Sequence, residues 1–105
     1  MMNNEMADCV ESFLRGEGSM FFIVRAGVVP SNLKRQDFLF RKLDDTCISI
    51  LGSLWFDKAE EFLRKNFSVV NAKLYCVVEV RGVDFKAFLS QFSADEKRLV
   101  KIEMI

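Results

Sequence analysis

Histidine is absent from the whole chain. That removes the imidazole required by Ser-His-Asp and Cys-His nucleophiles, by histidine acid–base catalysis and by most zinc sites. Proline occurs once, at Pro30, and glycine five times, at 16, 18, 27, 52 and 82. Gly16 and Gly18 share a GxG spacing, but Phe21 stands where the dinucleotide fingerprint needs its third glycine, and no P-loop spacing occurs. No cofactor is therefore expected. The three cysteines, Cys9, Cys47 and Cys76, are odd in number and widely spaced, which fits neither a disulfide framework nor a zinc cluster. Each lies in an apolar pattern and is expected to be a reduced thiol packed as a small hydrophobe.

Charge of one sign is also lacking. Fifteen basic and fifteen acidic side chains give a net charge of +0, so no global field draws the protein to nucleic acid or to an anionic membrane. No apolar run approaches the ~18 residues of a membrane span. Met1 to Asp8 carries acids where a secretory signal carries lysine or arginine. The expected location is the cytoplasm, with no membrane contact.

What is present is enough apolar material for one core. Half the residues (50%) are hydrophobic, 29% are charged, and eleven are phenylalanine, so positions 1–105 read as a single domain whose interior is built around Phe rings.

Met6, Cys9, Val10, Phe13 and Leu14 recur at helical spacing and predict a helix over Asn4 to Arg15, capped by Asn3 or Asn4 and stopped by Gly16. The continuous run Met20 to Val24 predicts a strand covered on both faces, reaching about Val29 before Pro30. Phe38 to Leu43 and Thr46 to Leu51 flank Asp44 and Asp45 and predict a hairpin in which Leu43 pairs with Thr46. That register puts Leu39, Leu43, Ile48 and Ile50 on one face and Phe38, Phe40, Cys47 and Leu51 on the other. Asp57 with Glu60 has capping-box character and predicts a helix from Asp57 to Asn66. Val69 to Arg81 alternates and predicts a strand. Gly82 then breaks it, Asp84 caps a helix ending near Ser93, and Val83 with Phe88 suits a hydrophobic staple. Alternation from Val100 to Met104 predicts a last strand, although Ser93 and Glu96 suit a cap for a helix instead.

The expected fold is therefore α+β, in the order α-β-β-β-α-β-α-β, with three helices over one face of a mostly antiparallel five-stranded sheet. If both strand faces are apolar, the sheet is covered on both sides or one face is a docking surface.

The remaining chemistry is sparse. Asp44/Asp45, Glu60/Glu61 and Asp95/Glu96 are the only adjacent acids that could serve carboxylate catalysis, and each suits a turn or a helix end. The basic pairs Lys34/Arg35 and Arg41/Lys42 could touch phosphate. The opening α-β-β-β-α order resembles that of double-stranded RNA-binding domains in element order alone, since their basic C-terminal signature is missing. A solvated charged edge is the simpler reading, and nucleic acid is not the expected partner.

Elimination leaves a non-catalytic protein-binding module: a small cytosolic inhibitor or adaptor, of the immunity-protein or phage-antagonist type, covering a surface of another protein. The alternatives are a dimeric chaperone of the secretion type, or a nucleic-acid-binding domain using Lys34, Arg35, Arg41 and Lys42, and a homodimer is compatible with the protein-binding readings. The candidate docking residues are Trp55, Asp57, Glu60 and Glu61, an acidic helix start beside an aromatic ring, with Trp55 itself expected in the core.

Overall fold

The computed structural model describes residues 4–95 and 99–105. Its elements are α1 (Asn4–Leu14), β1 (Ser19–Arg25), β2 (Phe40–Lys42), β3 (Cys47–Ser53), α2 (Phe56–Asn66), α3 (Val69–Ala72), β4 (Tyr75–Arg81), α4 (Gly82–Asp95) and β5 (Leu99–Met104). Two 3₁₀ turns, Pro30–Asn32 and Arg35–Asp37, connect β1 to β2. The expected α+β domain with a five-stranded sheet is what forms.

β3 is the hub of that sheet. It pairs antiparallel with β2, from Phe40↔Ile50 to Lys42↔Ile48, and through Gly52 and Ser53 with Phe22 and Phe21 of β1. β1 continues antiparallel into β4 along its whole length, from Ser19↔Arg81 to Arg25↔Tyr75. β5 joins β3 in parallel, from Cys47↔Leu99 to Gly52↔Met104. β2, β4 and β5 thus each pair with a single strand among the described residues.

Strand alternation divides the side chains between two faces. On one, Met20, Phe22, Val24, Ile48, Ile50 and Val80 meet Phe13 of α1 and Phe85 and Phe88 of α4, all buried. The rings pack against each other: Phe22 stacks on Phe85 at 5.3 Å, Phe13 lies 5.0 Å from Phe85, and Phe38 lies 4.3 Å from Phe88. The Phe-built core is what its composition implies. On the other face α2 lays Ala59 and Leu63, both buried, over β1, β4 and the end of β3. Helices therefore cover both faces, which corrects the expectation of a one-sided sheet.

Four local expectations are also corrected. β1 stops at Arg25, because Gly27 takes a positive φ of 87° that turns the chain before Val29. The hairpin register is one residue longer than expected: the Leu43 and Asp44 amides both donate to the Cys47 carbonyl. The Asp44 carboxylate accepts from the Thr46 amide and hydroxyl, both at 2.7 Å, so Thr46 belongs to the turn. A slip of one flips the strand; Phe38, and not Leu39, shares the core face with Ile48 and Ile50. Residues 69–72 form α3 rather than strand, because the Ser68 hydroxyl accepts from the Asn71 amide at 3.2 Å and caps a turn of helix. α4 begins at Gly82 rather than after Asp84, and Val83 faces water instead of stapling the buried Phe88. The Asn3 cap and Glu96 lie outside the described residues.

Candidate functional site

The junction between β3 and α2 fixes the position of Trp55. Ser53 closes β3 and is fully buried; its hydroxyl accepts from the Trp55 amide at 3.0 Å and donates to the Trp55 carbonyl at 2.8 Å. Both polar atoms of the Trp55 backbone are thereby satisfied by one buried side chain, and Trp55 becomes the residue preceding α2, with extended φ and ψ. This is the helix start, and it uses no side-chain cap; Asp57 lies inside the first turn and does not form the expected capping box.

The Trp55 ring points outward. It is 47% exposed, which overturns its expected place in the core. The Lys58 ammonium sits 5.1 Å over the ring, a cation–π contact. Next to it Phe56 is also exposed and meets Phe21 edge-on at 6.0 Å. Two neighbouring aromatic side chains thus stand at the surface.

Glu60 and Glu61 face outward from α2 together with Asp57, as helical geometry requires, but they are not a bare acidic patch. Glu60 lies 3.6 Å from Arg64, and Glu61 pairs with Lys65 at 2.7 Å. The Lys65 hydrogen bond and charge hold the Glu61 carboxyl below its usual range. With Lys58 beside Asp57, α2 is charge-balanced.

Unbalanced acidity comes instead from α1. Glu5, Met6 and Cys9 form one wall of a shallow cleft of ≈ 400 Å³ whose other wall is Leu54 and Trp55. A neighbouring hollow extends from Glu5 and Cys9 to Asp8 and Glu17. Cys9 is exposed there, not packed as a hydrophobe; Cys47 is buried and Cys76 partly so. The stripe on α1 is narrower than its periodicity implies, with only Phe13 fully buried.

The basic residues do not converge. Arg41 and Lys42 are adjacent in a strand and therefore lie on opposite faces. Arg41 pairs with Glu103 at 2.7 Å, and Lys42 with Asp45 at 2.9 Å. Lys34 and Arg35 border a separate polar hollow with Gln36 and Gln91. Of the adjacent acids, Asp44 is committed to its turn and Asp45 to Lys42. Among the described residues no group of three or more His, Cys, Asp or Glu side chains is placed to hold a metal, and no helix is long and apolar enough to cross a membrane.

One surface escaped the sequence reading. Val69 and Val70 are 77% and 74% exposed on α3, beside a groove lined by Leu63, Phe67 and Ala72. Reading 69–81 as strand hid them; the Ser68/Asn71 spacing is the signal that would have exposed the turn. No family model, curated protein or solved structure matches the chain.

Proposed function

We propose that the chain is a non-catalytic protein-binding module, a small inhibitor or adaptor that docks a partner protein through the Trp55 corner. The observation that carries this reading is the half-exposed Trp55, held by the buried Ser53 on a rigid strand-to-helix junction. An indole standing in water gains much by entering a partner's pocket, and a preorganised one loses little freedom on doing so. The absence of histidine from the sequence supports the non-catalytic part of the reading.

The acids beside the ring define the partner's chemistry. Glu5 lines the cleft that Trp55 walls, and Asp8 and Glu17 line the hollow next to it, which suits a basic surface with an apolar recess. The acids accelerate encounter, and Trp55 slows release. Capture from the native host with wild-type and Trp55→Ala baits, followed by mass spectrometry, tests this. A basic protein recovered by the first bait and lost with the second is the expected result; equal recovery by both overturns the reading.

A further inference from the structure

β5 is an outer strand, and among the described residues nothing pairs with its second edge. Its Leu99 and Ile105 amides donate to the Thr46 and Gly52 carbonyls of the β3 side at 2.7 and 2.9 Å, so odd-numbered residues aim their backbone groups inward. The N–H and C=O groups of Val100, Ile102 and Met104 consequently aim outward. Among the described residues, β5 pairs with β3 alone. Natural edges are usually protected by proline, a bulge or several charges; this one carries only Lys101 and Glu103.

Those two charges flank Ile102, and the strand reads as a charge palindrome: Leu99, Val100, Lys101, Ile102, Glu103, Met104, Ile105. We propose that β5 is the contact of a homodimer, in which a second copy of this chain adds its own β5 antiparallel about a two-fold axis through Ile102. The two sheets then join into one of ten strands. In this register the outward backbone groups of one copy meet the outward groups of the other: Ile102 faces Ile102, and Val100 faces Met104. Leu99, 59% exposed, comes opposite Ile105. Lys101 comes opposite Glu103 twice, once on each side of the axis.

Register supplies the independent support. A slip of one residue puts outward groups against inward ones and is excluded by the ladder. A slip of two restores the ladder but sets either Lys101 against Lys101 or Glu103 against Glu103, and like charges directly opposite each other are destabilising. One alignment alone satisfies hydrogen bonding, apolar pairing and charge. Glu103 is already engaged on the inner side of β5, its carboxylate accepting from Arg41 of β2 at 2.7 Å and from the Ser49 hydroxyl of β3 at 3.0 Å, and in the dimer it is shared with Lys101 of the second copy. Lys101 makes no ion pair among the described residues; its charge acts on Asp44 at longer range, and in the dimer it meets Glu103 of the second copy.

Light scattering of the full chain at about 100 µM, where even a micromolar dimer is populated, is the measurement. The wild type is expected to approach twice the chain mass of 12.1 kDa. Lys101→Glu and Glu103→Lys should each weaken self-association about tenfold or more, through two like-charge oppositions per dimer. Mixing the two variants restores two Lys–Glu oppositions and should return the mass to the dimer value. The Lys101→Glu/Glu103→Lys double variant restores both oppositions within one chain and is a second route to rescue; because it and Glu103→Lys both lose the Arg41 contact, circular dichroism checks the fold of each. A wild type that stays at the monomer mass, a Lys101→Glu variant that associates as tightly as wild type, or a failure of folded variants to rescue each overturns the proposal.

Discussion

The Gly82 amide donates to the Gly18 carbonyl across 2.9 Å, tying the start of α4 to the loop after α1. The approach leaves no room for a side chain. A Cβ on Gly82 would lie 2.6 Å from the Phe13 carbonyl oxygen and 2.8 Å from both the amide nitrogen and the carbonyl oxygen of Glu17, all backbone atoms that cannot rotate aside. Gly82→Ala should therefore destabilise the protein by about 2–3 kcal/mol, the upper part of the usual range for overpacking. Gly27→Ala, where nothing lies within 4 Å but φ is positive, should lose only about 1 kcal/mol. Urea unfolding of both variants checks the ranking; equal losses would show that the backbone around Gly82 shifts to relieve the crowding.

The elements themselves were legible because their signals are local. Phe13, Ala59, Leu63, Phe85 and Phe88 lie on helical stripes, and each is buried in the place its spacing implies. Pairing was less legible, since Asp44 binds Thr46 and lengthens a turn by one residue, which moved Phe38 into the core in place of Leu39. The parallel union of β5 with β3 joins residues about fifty positions apart, and no local pattern encodes it. Trp55 was misplaced for a related reason. Its burial depends on α1 and α2 leaving an open cleft between them, a tertiary fact, whereas the Ser53 hydroxyl that orients it is two residues away and was readable as a turn former.

Trp55 is the sole tryptophan, so its fluorescence reports on this corner alone. Acrylamide should quench native emission nearly as well as it quenches the unfolded chain. Trp55→Ala should lower unfolding free energy by about 2 kcal/mol, because a ring 47% exposed still gives up on the order of 100 Å² of covered surface, well short of the cost of a fully buried tryptophan. Emission shielded from quencher would place the ring in the core after all.

Asp44 and Glu61 each lose a small, solvent-screened contribution in acid. The Thr46 hydroxyl and amide hold the Asp44 carboxyl below its ordinary 3.8, and Lys65 holds Glu61 below its ordinary 4.5. Both groups have folded values under their unfolded ones. Their contribution is therefore present above those ordinary values and is lost as pH falls through the lowered folded values. Thr46→Val should raise the Asp44 midpoint toward 3.8, and Lys65→Met should raise that of Glu61 toward 4.5. Carboxyl NMR titration reads each site separately; an Asp44 midpoint unmoved by Thr46→Val would remove the hydroxyl bond as its cause.

The three thiols should react in the order of their exposure. Cys9 is exposed on α1, Cys76 is partly covered on β4, and Cys47 is buried at the start of β3. Ellman's reagent on the native protein should therefore titrate one thiol rapidly, a second slowly, and the third only on unfolding, with peptide mapping assigning the first to Cys9. Fast labelling of Cys47 would mean that the hairpin does not cover it. The same reaction bears on docking, because Cys9 faces Trp55 across one cleft. A bulky maleimide on Cys9 should block capture of the partner while leaving the unfolding transition in place, and Cys9→Ser should bind as wild type does. If the adduct leaves binding intact, the partner does not enter the cleft, and the exposed Val69 and Val70 become the surface to mutate next.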